Sequence, residues 1–420
     1  MIKKGRGAQI EDMDGNKYID FLSSAAVLNT GYSHHRIVEA IKNQVDDYIH
    51  FTNDYMYSEP QVTIAEKLIN ITPGKFNKKV LFGFSGSDAV DGAIKLARSY
   101  TKRNKIISFT GSYHGSTYGA ISVSAISLNM KRKIGPLLPE VYHLPYPNCF
   151  RCEFGKTEKT CLRECFKYLI NAFETYIPAE EVAAIIIEPI AGDLGFVEPP
   201  IDYMENLYEF CKKNDILFIT DEIQQGFGRT GKWFSIEHFN IEPDIIIMGK
   251  AMASGLPMSA IVAREEIVDS MLMPAHLFTL QGNATCAAAA IATLNIIQEE
   301  NLVKKAEEMG NYIVQRFMKM KEKYPVIGDI RGRGLSIGVE LLKDMNLKEK
   351  DKEGTIKVCY RCWQKGVVLI FLAENVLRIQ PPLIISKEET DKALDIIEES
   401  VSEYVNGKLS DEALKVVQGW

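Results

Sequence analysis

The sequence predicts an α/β fold, a mostly parallel sheet with helices on both faces, joined to a smaller α+β domain. Three observations lead there. Short apolar, β-branched runs recur along the chain with helical patterns between them, as crossover helices require. These runs end in turns of small or acidic residues. Past residue 300 the alternation changes character, with three helices, a strand pair and short strands in succession. The reading is a large domain over residues 51–300 and a smaller one over 301–420 that also takes in residues 1–50.

The elements follow in order. Gly7 to Phe21 reads as a hairpin with its turn at Asp14-Gly15, an Asp-Gly pair between alternating residues. Val27 to His35 is loop-like. Arg36 to Ile49 is helical, with Ile37, Ile41, Val45 and Ile49 at helical spacing. Phe51 to Tyr57 holds three aromatics, read either as a pocket wall or as loop packing. Lys79–Phe84 is a strand and Ala89 to Tyr100 a helix. Ile106–Phe109, Ala183–Glu188, Ile216–Thr220 and Ile245–Met248 are further strands. Ala284 to Ile297 is a buried, alanine-rich helix, and Leu302 to Lys323 a charged one. A strand pair spans Ile327 to Leu341, a helix Ile356 to Lys365, and strands Val367 to Phe371 and Val376 to Pro382. The last helix runs from Glu388 to Tyr404.

In parallel sheets, ligands bind beyond the carboxyl ends of the strands. Ser87, Asp193, Asp221 and Lys250 all sit just past such ends. The small-residue turn Ser85-Gly-Ser-Asp88 precedes a helix, so its free N–H groups form an anion site, with the Ser87 hydroxyl as a further donor; an ordinary N-cap is the competing reading. Tyr113 and His114 follow the next strand and present flat rings. Lys250 leaves a buried strand through Gly249. Desolvation there lowers an ammonium's pKa, and a free amine forms a Schiff base with an aldehyde. The competing reading is a lysine that reaches solvent along its stem.

Composition bounds the rest. The 420 residues are 46 % hydrophobic and 25 % charged, with a net charge of −6. No basic footprint argues for nucleic acid. No apolar run reaches membrane-spanning length and no apolar h-region follows the basic start, so a soluble cytoplasmic protein is expected. Eight cysteines fit reduced thiols. Cys149, Cys152, Cys161 and Cys165 cluster with spacing that suits a structural zinc, weighed against a cysteine-rich surface excursion with no metal. Cys359 and Cys362 read as packing residues.

A strand-end lysine, a phosphate-type turn, a strand-end aspartate and an aromatic ring fit one cofactor, pyridoxal 5′-phosphate. It needs a lysine Schiff base, an acid on the pyridinium nitrogen and a phosphate cradle. The block Asp221-Glu-Ile-Gln-Gln-Gly-Phe-Gly-Arg-Thr-Gly231, with Lys250, Ser85-Gly-Ser-Asp88 and Gly282-Asn283, resembles the class III aminotransferase family of fold-type I pyridoxal-phosphate enzymes. That resemblance implies a seven-stranded sheet in the large domain. It implies Lys250 as the Schiff-base lysine, Asp221 at the ring nitrogen, Gly86 and Ser87 at the phosphate, Tyr113 stacked on the ring and Gln224 at the ring hydroxyl. It implies that Thr279 reaches the cofactor of a neighbouring subunit, hence a homodimer or a dimer of dimers. Arg378 would bind the α-carboxylate of an amino-acid substrate as a fork. It also implies a helix-length segment ahead of the hairpin, which this chain enters almost at once.

Gly111 to Gly119, Ser127 to Pro136, Pro274 to Thr279 and the terminal Gly419-Trp420 are similar to the isoleucine 2-epimerase and broad-specificity racemase branch. Where 4-aminobutyrate aminotransferases have Glu and Arg, this chain has Asp193 and Ser116. The resemblance therefore implies an aliphatic amino acid, with Lys250 and Asp193 as acid and base on opposite faces of Cα. Such an acid must hold a proton for part of the cycle, which burial favours; a structural partner of Arg378 is the other role open to Asp193. The alternatives are an ordinary aminotransferase using the same residues, and a non-catalytic module that binds metal through the cysteines.

Overall fold

The computed structural model describes residues 1–53, 55–157 and 159–417; Gly419-Trp420 lies outside them. Strands β1 (Ile2–Arg6), β2 (Gln9–Asp12) and β3 (Lys17–Asp20) form an antiparallel meander at the start. The expected turn holds, with Gly15 at φ +84°, a conformation that glycine adopts without a Cβ penalty.

Seven strands then build the large sheet. They are β4 (Lys78–Gly83), β5 (Lys105–Phe109), β6 (Val141–Leu144), β7 (Val182–Ile187), β8 (Leu217–Asp221), β9 (Ile245–Met248) and β10 (Ser259–Arg264). Their order is β4-β10-β9-β8-β7-β5-β6. Only β10 runs against the others, pairing antiparallel with both β4 and β9. The sheet is therefore mostly parallel, as expected, and the carboxyl ends of β4, β5, β7, β8 and β9 share one edge. Neither β6, four residues with Tyr142 and His143 at its centre, nor the six-residue β10 is among the strands expected from the sequence.

The run of isoleucines in the middle strands is explained by burial on both faces. Ile245 and Ile247 enter one apolar cluster with Val90, Ile94 and Ala97 of the helix Gly86–Thr101. Ile246 and Met248 enter the other, with Ile185 and Ile187. Side chains alternate faces along a strand, and a sheet covered on both sides has no polar face to show.

The remaining strands are β11 (Ile327–Arg333), β12 (Ser336–Asp344), β13 (Glu349–Lys350), β14 (Val367–Val368), β15 (Ile370–Leu372) and β16 (Val376–Ile379). The single strand expected over Val367 to Phe371 is two. β14 pairs parallel with β3, while β15 pairs antiparallel with β16. One run thus serves two sheets, and the chain's start and its C-terminal part are stitched by Val367↔Ile19. In the Phe51 to Tyr57 stretch, Tyr55 and Tyr57 are 82 % and 90 % exposed. Among the described residues no helix is long and apolar enough to cross a membrane.

Arg229 is the pin between these parts. It is fully buried. Its guanidinium donates to the carbonyls of Leu335 (3.0 Å) and Pro381, and to Asn29 Oδ1. Burial, with Arg378 nearby, pushes its pKa down to about 9, against the pull of Asp20. Removing the side chain orphans buried carbonyls on two segments. Arg229→Ala should therefore lose about 3 kcal/mol of stability, read as a lower denaturant midpoint.

Candidate active site

The site forms where three strand ends meet. Asp221 closes β8 and pairs in register with Ile247 of β9. Lys250 follows three residues on, opening a 3₁₀ turn at Lys250–Ala253 with φ +42°. A lysine in that sparsely populated region is held there by its surroundings. Its amine finds no hydrogen-bond or ion-pair partner among the described residues. Burial lowers its pKa; Asp193 opposes that, Arg378 adds to it, and Asp221 and Glu188 oppose it in turn. An amine in this setting loses its proton more readily than a solvated lysine.

Lys250 shares a cleft of about 150 Å³ with Gly86, Ser87, Tyr113, His114, Gly115, Glu188, Asp221, Ile223 and Gln224. Seven residues singled out from sequence thus converge here, His114 among them. Asp221 is buried. Its Oδ1 accepts from the Ile223 N–H at 3.0 Å, and its Oδ2 lies 2.7 Å from His114 Nδ1. Facing a carboxylate, Nδ1 is the nitrogen that carries hydrogen. His114 thus lines the cleft and also orients Asp221.

The Ser85 turn is a capping box. Ser85 Oγ accepts from the Asp88 N–H at 3.2 Å, and Asp88 Oδ2 accepts from the Ser85 N–H at 3.2 Å. Asp88 is thereby turned back into the protein, where Ser259 Oγ also holds it at 2.8 Å. The N–H groups of Gly86 and Ser87 are left at the cleft end of a four-turn helix, where the backbone favours an anion. Gly115 explains its own presence: at φ +125°, a Cβ there would fall 2.1 Å from Ser87 Oγ.

Two further groups complete the site. Glu188, the residue after β7, was read only as a strand end. It is buried in the cleft and accepts from the N–H groups of Tyr113 (3.0 Å) and Gly192 (2.9 Å). Burial raises its pKa to about 7, with His114 lowering and Asp221 raising it. The strand-end rule that found Asp221 applies equally to this lone acid after six buried apolar residues. Gln224 Nε2 donates to Asp193 Oδ1 at 3.1 Å. A Cβ at Gly192 would sit 2.1 Å from Gln224 Oε1, so the loop approaches closely only as glycine.

Asp193 lines an adjoining cavity of about 510 Å³ with Gly111, Ala125, Ile126, Leu194 and Leu372. Arg378, on β16, comes from the other sheet. Its Nη1 is 3.6 Å from Asp193 Oδ1, and its Nη2 is buried without a partner. The two sheets are docked at this point: Arg331 Nε donates to the Gly195 carbonyl at 2.7 Å, and a Cβ on Gly338 would meet the same oxygen. Thr279 lies apart from the cleft, exposed, with its carbonyl 2.8 Å from His50 Nε2. Among the described residues no group of three or more His, Cys, Asp or Glu side chains converges as a metal site. Cys149, Cys152, Cys161 and Cys165 do share the lining of one cavity. Cys359 and Cys362 are buried, as packing residues are.

A model of the class III aminotransferases matches residues 1–401. The chain belongs to that family. It is 47 % identical to the isoleucine 2-epimerase of Lentilactobacillus buchneri, covering 98 % of this chain and 91 % of that one. It is 46 % identical to the leucine/methionine racemase of Thermococcus litoralis, covering 99 % and 94 %. Among solved structures, a pyridoxal-phosphate-bound amine transaminase from an uncultivated Pseudomonas species superposes with a TM-score of 0.89, at 27 % identity, over 96 % of this chain and 94 % of that one.

The residues present fit that cofactor. A desolvated amine without a partner stands beside a buried carboxylate locked by an imidazole. A helix start with two unengaged N–H groups borders the same cleft. Gly86 keeps the floor open, since a Cβ there would fall 2.8 Å from Ile223 Cδ1.

Glu188 also makes the fold sensitive to pH. Its folded pKa, about 7, stands above the roughly 4.3 of a free glutamate. Between those values the folded state holds a proton that the unfolded chain has lost, so this group's contribution to stability falls as pH rises. Relative to Glu188→Gln, the parent should lose on the order of 3–4 kcal/mol between about pH 4 and pH 8, measured as the pH dependence of the difference in unfolding free energy.

Proposed function

We propose that this chain is a pyridoxal-phosphate-dependent racemase or 2-epimerase of aliphatic amino acids. The observation that carries the reading is the placing of two proton-carrying groups, Lys250 and Asp193, in adjoining cavities joined by the Gln224–Asp193 hydrogen bond. Similarity supports the same choice: the two racemizing enzymes are 47 % and 46 % identical to it, the amine transaminase 27 %.

Bound in the cleft, pyridoxal phosphate would supply an aldehyde for the substrate amine and a ring that takes up electron density once Cα loses its proton. Lys250 would hold the aldehyde carbon, Asp221 the ring nitrogen, Gln224 the ring hydroxyl, and the Gly86 and Ser87 N–H groups the phosphate, with Tyr113 against the ring. His114 keeps Asp221 pointed and Glu188 fixes the Tyr113 and Gly192 backbone. Arg378, through its unpartnered Nη2, binds the α-carboxylate as a charge-assisted fork. That anchor sets Cα between the two acid–base groups. Lys250 removes or returns the proton on one face and Asp193 does so on the other, each acting as base for one enantiomer and acid for its mirror image. The wider cavity beyond Asp193 carries Leu194, Ile126 and Leu372, against which a branched aliphatic side chain would pack, with Arg132, Lys350 and Glu374 elsewhere on its wall.

Self-association belongs to the same reading. Tyr55, Tyr57, Leu272 and Leu280 are exposed on two segments that touch through the His50–Thr279 and Thr285–Ile49 hydrogen bonds. A patch of that kind marks an interaction surface. A second copy seated there would bring Thr279 toward a neighbouring site.

L-isoleucine in heavy water, with cofactor and no keto acid, should gain deuterium at Cα and yield the 2-epimer, followed by NMR and chiral chromatography. Deuterium entry with complete retention of configuration would return the chain to ordinary transamination. Asp193→Asn should cut epimerisation by about a hundredfold or more while the cofactor's absorbance persists; unchanged turnover would remove Asp193 from the reaction.

A further inference from the structure

Asp193 and Arg378 are joined by a second and longer route. Arg378 Nε donates to Gln380 Oε1 at 2.7 Å. Gln380 Nε2 donates to Ser336 Oγ at 2.9 Å, and Ser336 Oγ to Gln225 Oε1 at 2.6 Å. Gln225 Nε2 donates to Gln224 Oε1 at 3.3 Å, and Gln224 Nε2 to Asp193 Oδ1 at 3.1 Å. The Arg378–Asp193 approach of 3.6 Å closes the ring.

Every link runs in one direction. The ring begins at a guanidinium, which only donates, and ends at a carboxylate, which when ionised only accepts. The charges at the two ends therefore dictate the orientation of all three amides. Reversing any one of them would set donor against donor or acceptor against acceptor. Gln225, Ser336 and Gln380 are at most 1 % exposed, so no water stands ready to replace a broken link. Buried chains of this kind strengthen cooperatively and hold their members rigidly. The route also crosses between the two sheets: Ser336 starts β12 and Gln380 follows β16, whereas Gln224 and Gln225 follow β8.

We propose that Gln225, Ser336 and Gln380 are positioning residues that tie carboxylate capture at Arg378 to proton transfer at Asp193; this rests on the racemase reading above. None of the three lines the cleft or the cavity that holds Asp193, so each acts through its neighbours. A substrate carboxylate arriving at Arg378 competes with Asp193 for the guanidinium. The relay keeps Arg378 in place through Nε during that exchange. It also keeps Gln224 aimed at Asp193, so the carboxyl released by the cation stays over its face of Cα. With the relay broken at Ser336 or Gln225, the amides that hold Arg378 Nε and Asp193 Oδ1 lose their own backing, and none of the relay's bonds reaches Lys250.

The test separates the two faces. With the holoenzyme and L-isoleucine in heavy water, Cα exchange and inversion are measured together. In Ser336→Ala, inversion should fall about tenfold or more, exchange with retention by less than about threefold, and the KM should rise. Ser336→Thr, which keeps the hydroxyl, should restore inversion. Gln225→Met breaks a different link at similar volume and should produce the same split, which decides the matter if the alanine variant folds poorly. Parallel loss of inversion and exchange in both variants, or inversion unchanged in either, overturns the relay. A parent enzyme that exchanges without inverting overturns the racemase reading instead.

Discussion

Desolvation of one amine organises this molecule. Lys250 stands at the edge of a sheet whose strands are buried on both faces, so water cannot reach its ammonium freely. Every nearby charge then matters more than it would at a surface. Asp193, Asp221 and Glu188 pull its proton affinity up while burial and Arg378 push it down. On the function proposed above, an amine balanced in this way would serve both as nucleophile and as proton carrier.

The same low-dielectric setting explains why so many carboxyl groups around the cleft are tethered. Asp221 is held by His114 and a backbone N–H, Glu188 by two backbone N–H groups, and Asp193 by Gln224 and Arg378. Glu222, next to Asp221, is buried and accepts from the Ser235 N–H and hydroxyl and the Ile236 N–H. Even so, burial raises its pKa to about 8. Each tether limits the cost of an acid out of water, and each fixes a direction. The site is rigid because its charges are buried.

The docking of the two sheets supplies the other half. Arg378 comes from β16 and Asp193 from the loop after β7, nearly two hundred residues earlier. They meet because Arg331 grips the Gly195 carbonyl and Gly338 admits the loop's close approach, while Arg229 holds the Leu335 and Pro381 carbonyls on the β12 and β16 side. The two groups proposed for carboxylate binding and proton transfer thus meet at one interface.

Much of this was legible in the residues alone. The parallel sheet follows from runs such as Ile245–Met248, whose composition admits no exposed face. Lys250, Asp221 and Ser87 follow from the rule that strand ends carry chemistry, because a strand's direction and end are local properties of the chain. The specific Gly-x-Gly-Arg-Thr-Gly block carried the family. The antiparallel β10, the division of Val367 to Phe371 between two sheets, the clamp of His114 on Asp221 and the relay through Gln225, Ser336 and Gln380 were decided by tertiary structure. Partner choice at long range leaves no periodic trace: a buried glutamine reads like any other until the fold sets its donor against a distant acceptor.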